Sequence, residues 1–511
     1  MTAFLRNTWR GLTSMRTALI LLFLLALAAM PGALLPQRSL NPPNVTAYIA
    51  SHGWWGTLLD RMQFFDVYGS VWFSAIYLML FISLVGCLLP RTFEYAKALR
   101  AQPVLTPRNL ARLPHHETAT QVDTPADVMA RARARLRGWR LVEREEADGA
   151  RSLSAERGYL RETGNLIFHF AMLGLIVALA LGKMFNYEGQ VIVKADGSEF
   201  CNSGTLNYDS FRPGLRVDGT DLSPFCVRVN DFKANYLPTG QADSFTAKID
   251  YQADDDLATN TWRPYDLEVN SPLRTAGDRV YLLGHGYAPT FTVTWPNGEQ
   301  RPQTIQWRPV DNLTLLSEGA VKFDPPGVTD SEERRKRQLV VTGLLAPTAL
   351  MHDKLLTSGF PDLRDPAVAV DVLRGDSGLD SGRGQSIFGI DQSMVDSGRL
   401  TKVARENLKP GEAITLDDGT KIRFDGVERW VSLQVSHDPT QLWVLVSSVF
   451  MILGLGASLT VKRRRLWVRA APQDEGRTVV EVGGLARTDQ AGYGEEFRTV
   501  AAELLSPRRG T

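Results

Sequence analysis

GNLIFHFAMLGLIVALALG, residues 164–182, decides how this chain is read. It is an apolar run of bilayer length, roughly twenty residues being needed to cross the hydrocarbon core. One titratable side chain, His169, interrupts it near one end. An ionisable group in a membrane segment costs about 2.5–3.5 kcal/mol on insertion scales, so it marks a candidate functional site. Imidazole is also a common axial ligand of haem iron. On a helix, Asn165, His169, Met172/Leu173 and Ile176 share one face. The same pattern is satisfied by an interhelical hydrogen bond, which contributes only about 0.6 kcal/mol. The residues alone leave both readings open.

Three more segments are long and apolar enough to span: Thr17–Leu35, Val71–Leu89 and Leu442–Val461. Arg6, Arg10 and Arg16 give the first the look of a signal peptide. Ala28-Ala29-Met30-Pro31 is a poor cleavage site, however, and three spans follow, so the segment reads as an uncleaved anchor. Lys and Arg collect in the N-terminus, in 91–163 and in Lys462-Arg463-Arg464-Arg465, whereas 36–70 offers only Arg38 and Arg61. The positive-inside rule then makes both termini and residues 91–163 cytoplasmic. Trp72, Trp443 and Trp467 fall near the expected interfaces, as aromatic belts do.

The expected fold class is therefore a multi-pass α-helical membrane protein with four transmembrane helices. A large, mainly β extracytoplasmic domain lies between helices 3 and 4. The boundaries read as a cytoplasmic N-terminus (1–16), helix 1 (17–35), an external loop (36–70), helix 2 (71–90) and a cytoplasmic α+β subdomain (91–163). Helix 3 (164–183), the external β-rich domain (184–440), helix 4 (441–461) and a basic, disordered cytoplasmic tail (462–511) complete the chain.

The 511 residues suffice for two or three domains, and a net charge of +1 argues against a nucleic-acid partner. In 91–163, Ala126–Leu136 reads as a helix with Arg131, Arg133, Arg135 and Arg137 opposite its apolar side. That row is either a solvated face or an anionic-lipid contact. Trp139–Val142 and Ser152–Ala155 read as strands around Ala147-Asp148-Gly149. The outer region alternates in short runs between turns: Gln190–Lys194, Phe225–Val229, Phe245–Tyr251, Arg279–Leu283 and Thr290–Trp295. Thr348–Thr357 reads as a short helix, and Gly375–Gly384 as a flexible loop without a phosphate-binding pattern.

Three cysteines are too few for a disulfide framework. Cys87 reads as a buried thiol; Cys201 and Cys226 form one bridge if their region faces an oxidising compartment. No CxxC is present, so the chain is not read as a thiol reductant. His115 and His116 read as exposed loop residues. His352, His437 and His285 read as structural, and His52 lies beside the interfacial pair Trp54-Trp55.

Several segments together resemble the ResB (CcsB) family of system II cytochrome c biogenesis. They are Ser14–Leu25 with Pro36-Gln37, FFDVYGSVWF at 64–73, Cys87-Leu88-Leu89-Pro90-Arg91, PVLTPRNLARLP at 103–114 and GNLIFHFAMLG at 164–174. VNSPLRTAGDRVYLLGHGYAP at 269–289 and SHDPTQLW at 436–443 continue the match. The resemblance implies a bacterial cytoplasmic-membrane subunit that handles haem b as a transient substrate and supports its attachment to CxxCH apocytochromes c. The implied partners are a ResC/CcsA-type membrane protein, the apocytochrome and, indirectly, a thiol-disulfide reductase acting on it. The chain would belong to a haem ligase complex without being catalytic alone. His169 would supply a haem axial ligand. Arg157 and Arg161 would face the propionates or serve as positive-inside anchors. The competing readings are a scaffold that binds no haem and a membrane-anchored sensor.

Overall fold

The computed structural model describes residues 2–38, 42–146, 148–353, 355–379, 386, 388–486 and 493–506. Two compact units emerge: Met1–Leu181 with Thr440–Thr511, and Gly182–Pro439. Four helices are long and apolar enough to cross a membrane: Met15–Leu34, Val71–Arg100, Arg161–Phe185 and Gln441–Thr460. They are called here the first to fourth apolar helices.

Local chemistry sets the starts of these helices. The Ser14 hydroxyl accepts from the Thr17 N–H at 3.2 Å and the Ser70 hydroxyl from the Phe73 N–H at 3.3 Å, each satisfying an orphan donor of a first turn. The second apolar helix continues through Pro90 to Arg100, well past the expected boundary at 90. Residues 36–70 also hold a helix, Pro42–Arg61, broken at Gly53, whose φ of 54° only glycine adopts readily.

The same unit contains a five-stranded antiparallel sheet. Its strands run in the order His115–Gln121, Arg477–Ala486, Arg464–Gln473, Arg151–Arg157, Arg140–Glu145. The helices Pro125–Arg135 and Tyr493–Leu505 cover one face, burying Met129, Ala132, Phe497 and Ala501 against Leu153, Val468 and Val480. Where the sequence reads a disordered tail, Arg464–Gln473 and Arg477–Ala486 are thus strands and Tyr493–Leu505 a helix. Arg464–Gln473 lies between strands from both sides and pairs Arg464 with Arg157, so loop and tail complete one domain. Residues 487–492 and 507–511 of that tail lie outside the described residues, as does Ala147.

Trp467 corrects a second expectation. It is buried in this sheet at 3% exposure, its indole N–H donating to the Val104 carbonyl at 3.2 Å, and belongs to no aromatic belt. Arg131, Arg133 and Arg135 are ion-paired with Asp123, Glu143 and Glu503, which makes the arginine row a solvated, paired face.

The unit Gly182–Pro439 is mainly β. Two 17-residue strands, Asp278–Thr294 and Lys421–His437, pair from Arg279↔Ser436 to Thr294↔Lys421. Arg279–Leu283 and Thr290–Trp295, read separately in the sequence, are thus ends of one ribbon, apart from Trp295. At one end the ribbon packs against a four-stranded sheet around Phe225, Phe232, Ile249 and Leu433. At the other, a five-stranded sheet packs on it around Phe291, Trp307, Val341 and Phe424. Two sandwich cores therefore share one spine. Thr348–Thr357 is not helical: Ala349–His352 and Leu355–Ser358 form a hairpin, pairing Leu350 with Thr357. Residues 380–384 of the glycine-rich loop lie outside the described residues.

Candidate functional site

His169 lies two turns into the third apolar helix. Its Nδ1 is 2.7 Å from the carbonyl oxygen of Asn165, one turn back. A carbonyl can only accept, so Nδ1 donates its N–H to it, and Nε2 is the ring nitrogen left to face a ligand. No hydrogen bond to Nε2 is present among the described residues. A backbone-held imidazole with its second nitrogen available is the usual geometry of a metal-ligating histidine.

The ring lines a cavity of about 410 Å³ formed by the first, second and third apolar helices. Asn165, His169, Met172 and Ile176 line it from one side, Leu19 and Leu22 from another, and Tyr77, Leu84 and Cys87 from the third. This volume lies within the range of small-molecule sites, and an apolar lining with a few convergent polar groups is typical of them. The walls are tied by polar bonds that leave the cavity apolar. The Tyr77 hydroxyl donates to the Ile176 carbonyl at 2.6 Å, and Ser83 and Cys87 bond the Leu12 and Thr13 carbonyls at 2.6 and 2.7 Å.

The arginine in this lining is Arg91, which also pairs with Glu162 at 3.2 Å. Sequence reasoning passed over it. Arg161 lines a different, smaller cavity, and Arg157 is an exposed strand end; neither borders the His169 cavity. The only advance signal for Arg91 was its place at the end of an apolar run, where a cation usually serves as an anchor.

The third and fourth apolar helices meet through glycine. A Cβ on Gly164 would lie 2.6 Å from the Ser458 nitrogen, and one on Gly454 would lie 2.6 Å from the Phe168 nitrogen. Such contact between small residues is how membrane helices approach closely. It fixes the backbone next to His169.

A second polar cluster lies in the β unit. His437 Nδ1 is 2.6 Å from Oδ1 of Asp278, which is only 1% exposed. Tyr187 donates to Oδ2 at 2.5 Å and Asn202 at 3.1 Å, and the His437 ring stacks on Tyr187. Burial pushes the Asp278 carboxyl up, opposed by the hydrogen bonds from Tyr187 and His437. The sequence reading of His437 as a polar structural residue missed this arrangement, since its partner is 159 residues away.

The other histidines are placed simply. His285 packs among Phe232, Phe245 and Tyr236, and burial pushes it down to about 4. His52 is exposed and stacks on Tyr48, with Trp54 and Trp55 also exposed beside it. His352 is exposed. His115 and His116 are half-buried in a strand rather than exposed; His116 faces Glu481 at 3.5 Å. Cys201 and Cys226 are bonded to each other across adjacent strands. Among the described residues no cluster of His, Cys, Asp and Glu could hold a bare metal ion.

Comparison with known proteins adds the family. The model of the ResB-like family matches residues 15–498. The cytochrome c biogenesis protein CcsB of Synechococcus sp. (strain CC9902) is 24% identical, over 95% of this chain and 95% of its own length. CcsB of Prochlorococcus marinus (strain MIT 9303) is 23% identical, over 98% of each chain. The cytochrome c biogenesis protein ResB of Bacillus subtilis (strain 168) is 23% identical, over 90% of this chain and 81% of its own length.

Proposed function

The chain belongs to the ResB-like family, and from that premise we propose that it is a membrane subunit of a haem-handling complex for the maturation of c-type cytochromes. The relatives' names as cytochrome c biogenesis proteins support the role in maturation. The observation that carries the haem reading is His169: a backbone-oriented imidazole lining an apolar cavity that Arg91 also lines. Haem has matching chemistry: an apolar macrocycle, an iron that accepts a neutral imidazole nitrogen, and carboxylates that suit arginine. Haem here is substrate in transit. His169 Nε2 supplies one axial ligand, the apolar helix faces hold the macrocycle, and Arg91 is the propionate partner. Arg157 and Arg161 are not assigned that role, because neither lines this cavity.

The distribution of Lys and Arg supports cytoplasmic termini and an extracytoplasmic β unit, and the Cys201–Cys226 bond fits an oxidising compartment. The β unit would receive the apocytochrome or hold the ResC/CcsA-type partner. Without a CxxC motif, reduction of the apocytochrome thiols falls to another protein.

The test uses the chain co-purified with its ResC/CcsA-type partner. Visible spectra and haem content are recorded for wild type and His169→Ala, with and without imidazole. Loss of haem from an intact complex, restored by imidazole, is the expected result. An unchanged spectrum would overturn the ligand role and leave the chain as an assembly scaffold. Arg91→Gln is expected to lower haem retention without changing the axial-ligand bands, whereas Arg157→Gln leaves both unaltered.

A further inference from the structure

A loop of the β unit closes the end of the third apolar helix. The last turn of that helix, from Gly182 to Phe185, belongs to the β unit, as does the loop. The Gly182 carbonyl accepts from the Asn186 N–H at 2.8 Å, that of Lys183 from the Leu215 N–H at 3.2 Å, and that of Met184 from the Arg216 N–H at 2.9 Å. Gly214 donates to the Asn186 carbonyl at 2.7 Å. A Cβ on Gly214 would lie 2.7 Å from the Asn186 oxygen and 2.8 Å from the Met184 oxygen, so glycine is needed for this approach. The last carbonyls of a helix have no partner within it. Here backbone N–H groups of the loop satisfy two of them, as a helix end beside hydrocarbon requires.

The loop carries apolar side chains outward. Leu215 is 80% exposed, and Phe185 at the helix end is 45% exposed. Leu206, 97% exposed, sits on the neighbouring turn Thr205–Asn207, where the Thr205 methyl packs on Gly219 of the same loop. Lys183 and Arg216 are exposed beside them. The Asp218 carboxylate is turned to its own loop, accepting from the Thr220 N–H and hydroxyl at 2.9 and 2.7 Å. A scattered exposed leucine needs no explanation; the position of Leu215 gives it one. The apolar run 164–182, at about 1.5 Å of rise per residue, covers roughly 28 Å, close to the ~30 Å of a bilayer's hydrocarbon. The hydrocarbon boundary therefore falls at Lys183, the residue whose carbonyl holds Leu215.

We infer that this loop seats the β unit in the headgroup zone of the extracytoplasmic leaflet. Leu215 and Leu206 enter the acyl boundary, and Lys183 and Arg216 reach the lipid phosphates. Apolar tips below and long cations above are how proteins lie in that zone. The occupant is lipid because the hydrogen bonds tie Leu215 to the turn at which the span leaves the hydrocarbon. The inference rests on the reading that the third apolar helix crosses the membrane with the β unit outside. It does not depend on haem binding at His169.

The test takes the full chain, without any partner, in nanodiscs of phosphatidylcholine and phosphatidylglycerol. A nitroxide is attached at Leu215→Cys, Val177→Cys or Leu313→Cys, each combined with Cys87→Ala so that one free thiol is present. Val177 lies within the third apolar helix. Leu313, 73% exposed, is two residues from Leu315 of the other sandwich core. Collision rates with oxygen, which enters lipid, and with a polar nickel chelate, which does not, give the depth of each label. The label at 215 is expected to favour oxygen, as at 177, and the label at 313 to favour the chelate. A sulfonated maleimide should modify Leu215→Cys at least tenfold more slowly than Leu313→Cys. A label at 215 as open to the chelate as that at 313, with 177 in lipid, would overturn the inference alone. Exclusion of both reagents at 215 would reveal a protein cover and overturn it as well. Chelate access at 177 would overturn the membrane reading and the inference together.

Discussion

Replacing Cys201 and Cys226 by alanine tests both the energetics of the β unit and its proposed location. The two residues are register partners in adjacent strands, 25 positions apart in sequence. Closing a loop of that length restricts the unfolded chain by about 12 cal/mol/K, or about 3.5 kcal/mol at 25 °C. For a unit of this size each kcal/mol moves the melting temperature by about 2–4 °C, so the double variant should melt about 10 °C lower. Alanine is preferred to serine because Cys226 is buried and an unpaired hydroxyl there would add its own cost. Tryptophan fluorescence of the full chain in detergent would follow the melt, since Trp295 and Trp307 lie in the unit. Reductant should lower the wild-type melt towards the variant's and leave the variant unmoved. Maleimide labelling of chain denatured directly from cells should tag one thiol, Cys87, without reductant and three with it. A double variant melting within about 1 °C of wild type would refute the entropic argument. Three thiols tagged without reductant would refute the placement of the unit in an oxidising compartment.

Two further outcomes follow from single residues. His285 is held at about 4 by burial, so the native state prefers its neutral form. That contribution is fully present above pH 6.5 and is lost as pH falls towards 4, a difference of about 3 kcal/mol. His285→Leu should therefore flatten the pH dependence of stability in that window relative to wild type; an equally steep fall in the variant would show that other groups carry it. Gly454→Leu places a Cβ 2.6 Å from the Phe168 backbone nitrogen, forcing the helices about 0.8 Å apart to reach ordinary contact. A loss of about 1–3 kcal/mol in detergent is expected. Gly456→Leu, whose Cβ would meet nothing within 4 Å, should be neutral. Equal effects of the two would argue against close glycine packing.

What the sequence conveyed about the fold was local in origin. Apolar length marked the four helices, and alternation marked Gln190–Lys194, part of the strand Tyr187–Lys194 in which burial alternates residue by residue. Pairing across long separations was invisible. Arg464–Gln473 follows a basic run and so resembles a tail, yet its partner Arg151–Arg157 lies some 300 residues earlier. Leu466, Val468 and Ala470 are buried in it at period two, but the preceding cations drew the reading away from that alternation. Thr348–Thr357 misled for another reason: Asp353 turns the chain with a φ of 57°, a conformation no helix contains.

The candidate site shows the same division. His169 stood out because a titratable group in an apolar run is costly wherever its partners lie. Its arginine did not, because nearness in sequence on a helix is not nearness in space. Arg161 precedes His169 by eight residues, which is about 12 Å of rise and about 80° of rotation, enough to turn it towards another cavity. Arg91 is 78 residues away in sequence, yet the second apolar helix brings it to the wall that His169 lines. An arginine and an imidazole lining one apolar cavity suit a carboxylated macrocycle. Removing Arg91 should then lower haem retention, and removing Arg161 should leave it unchanged.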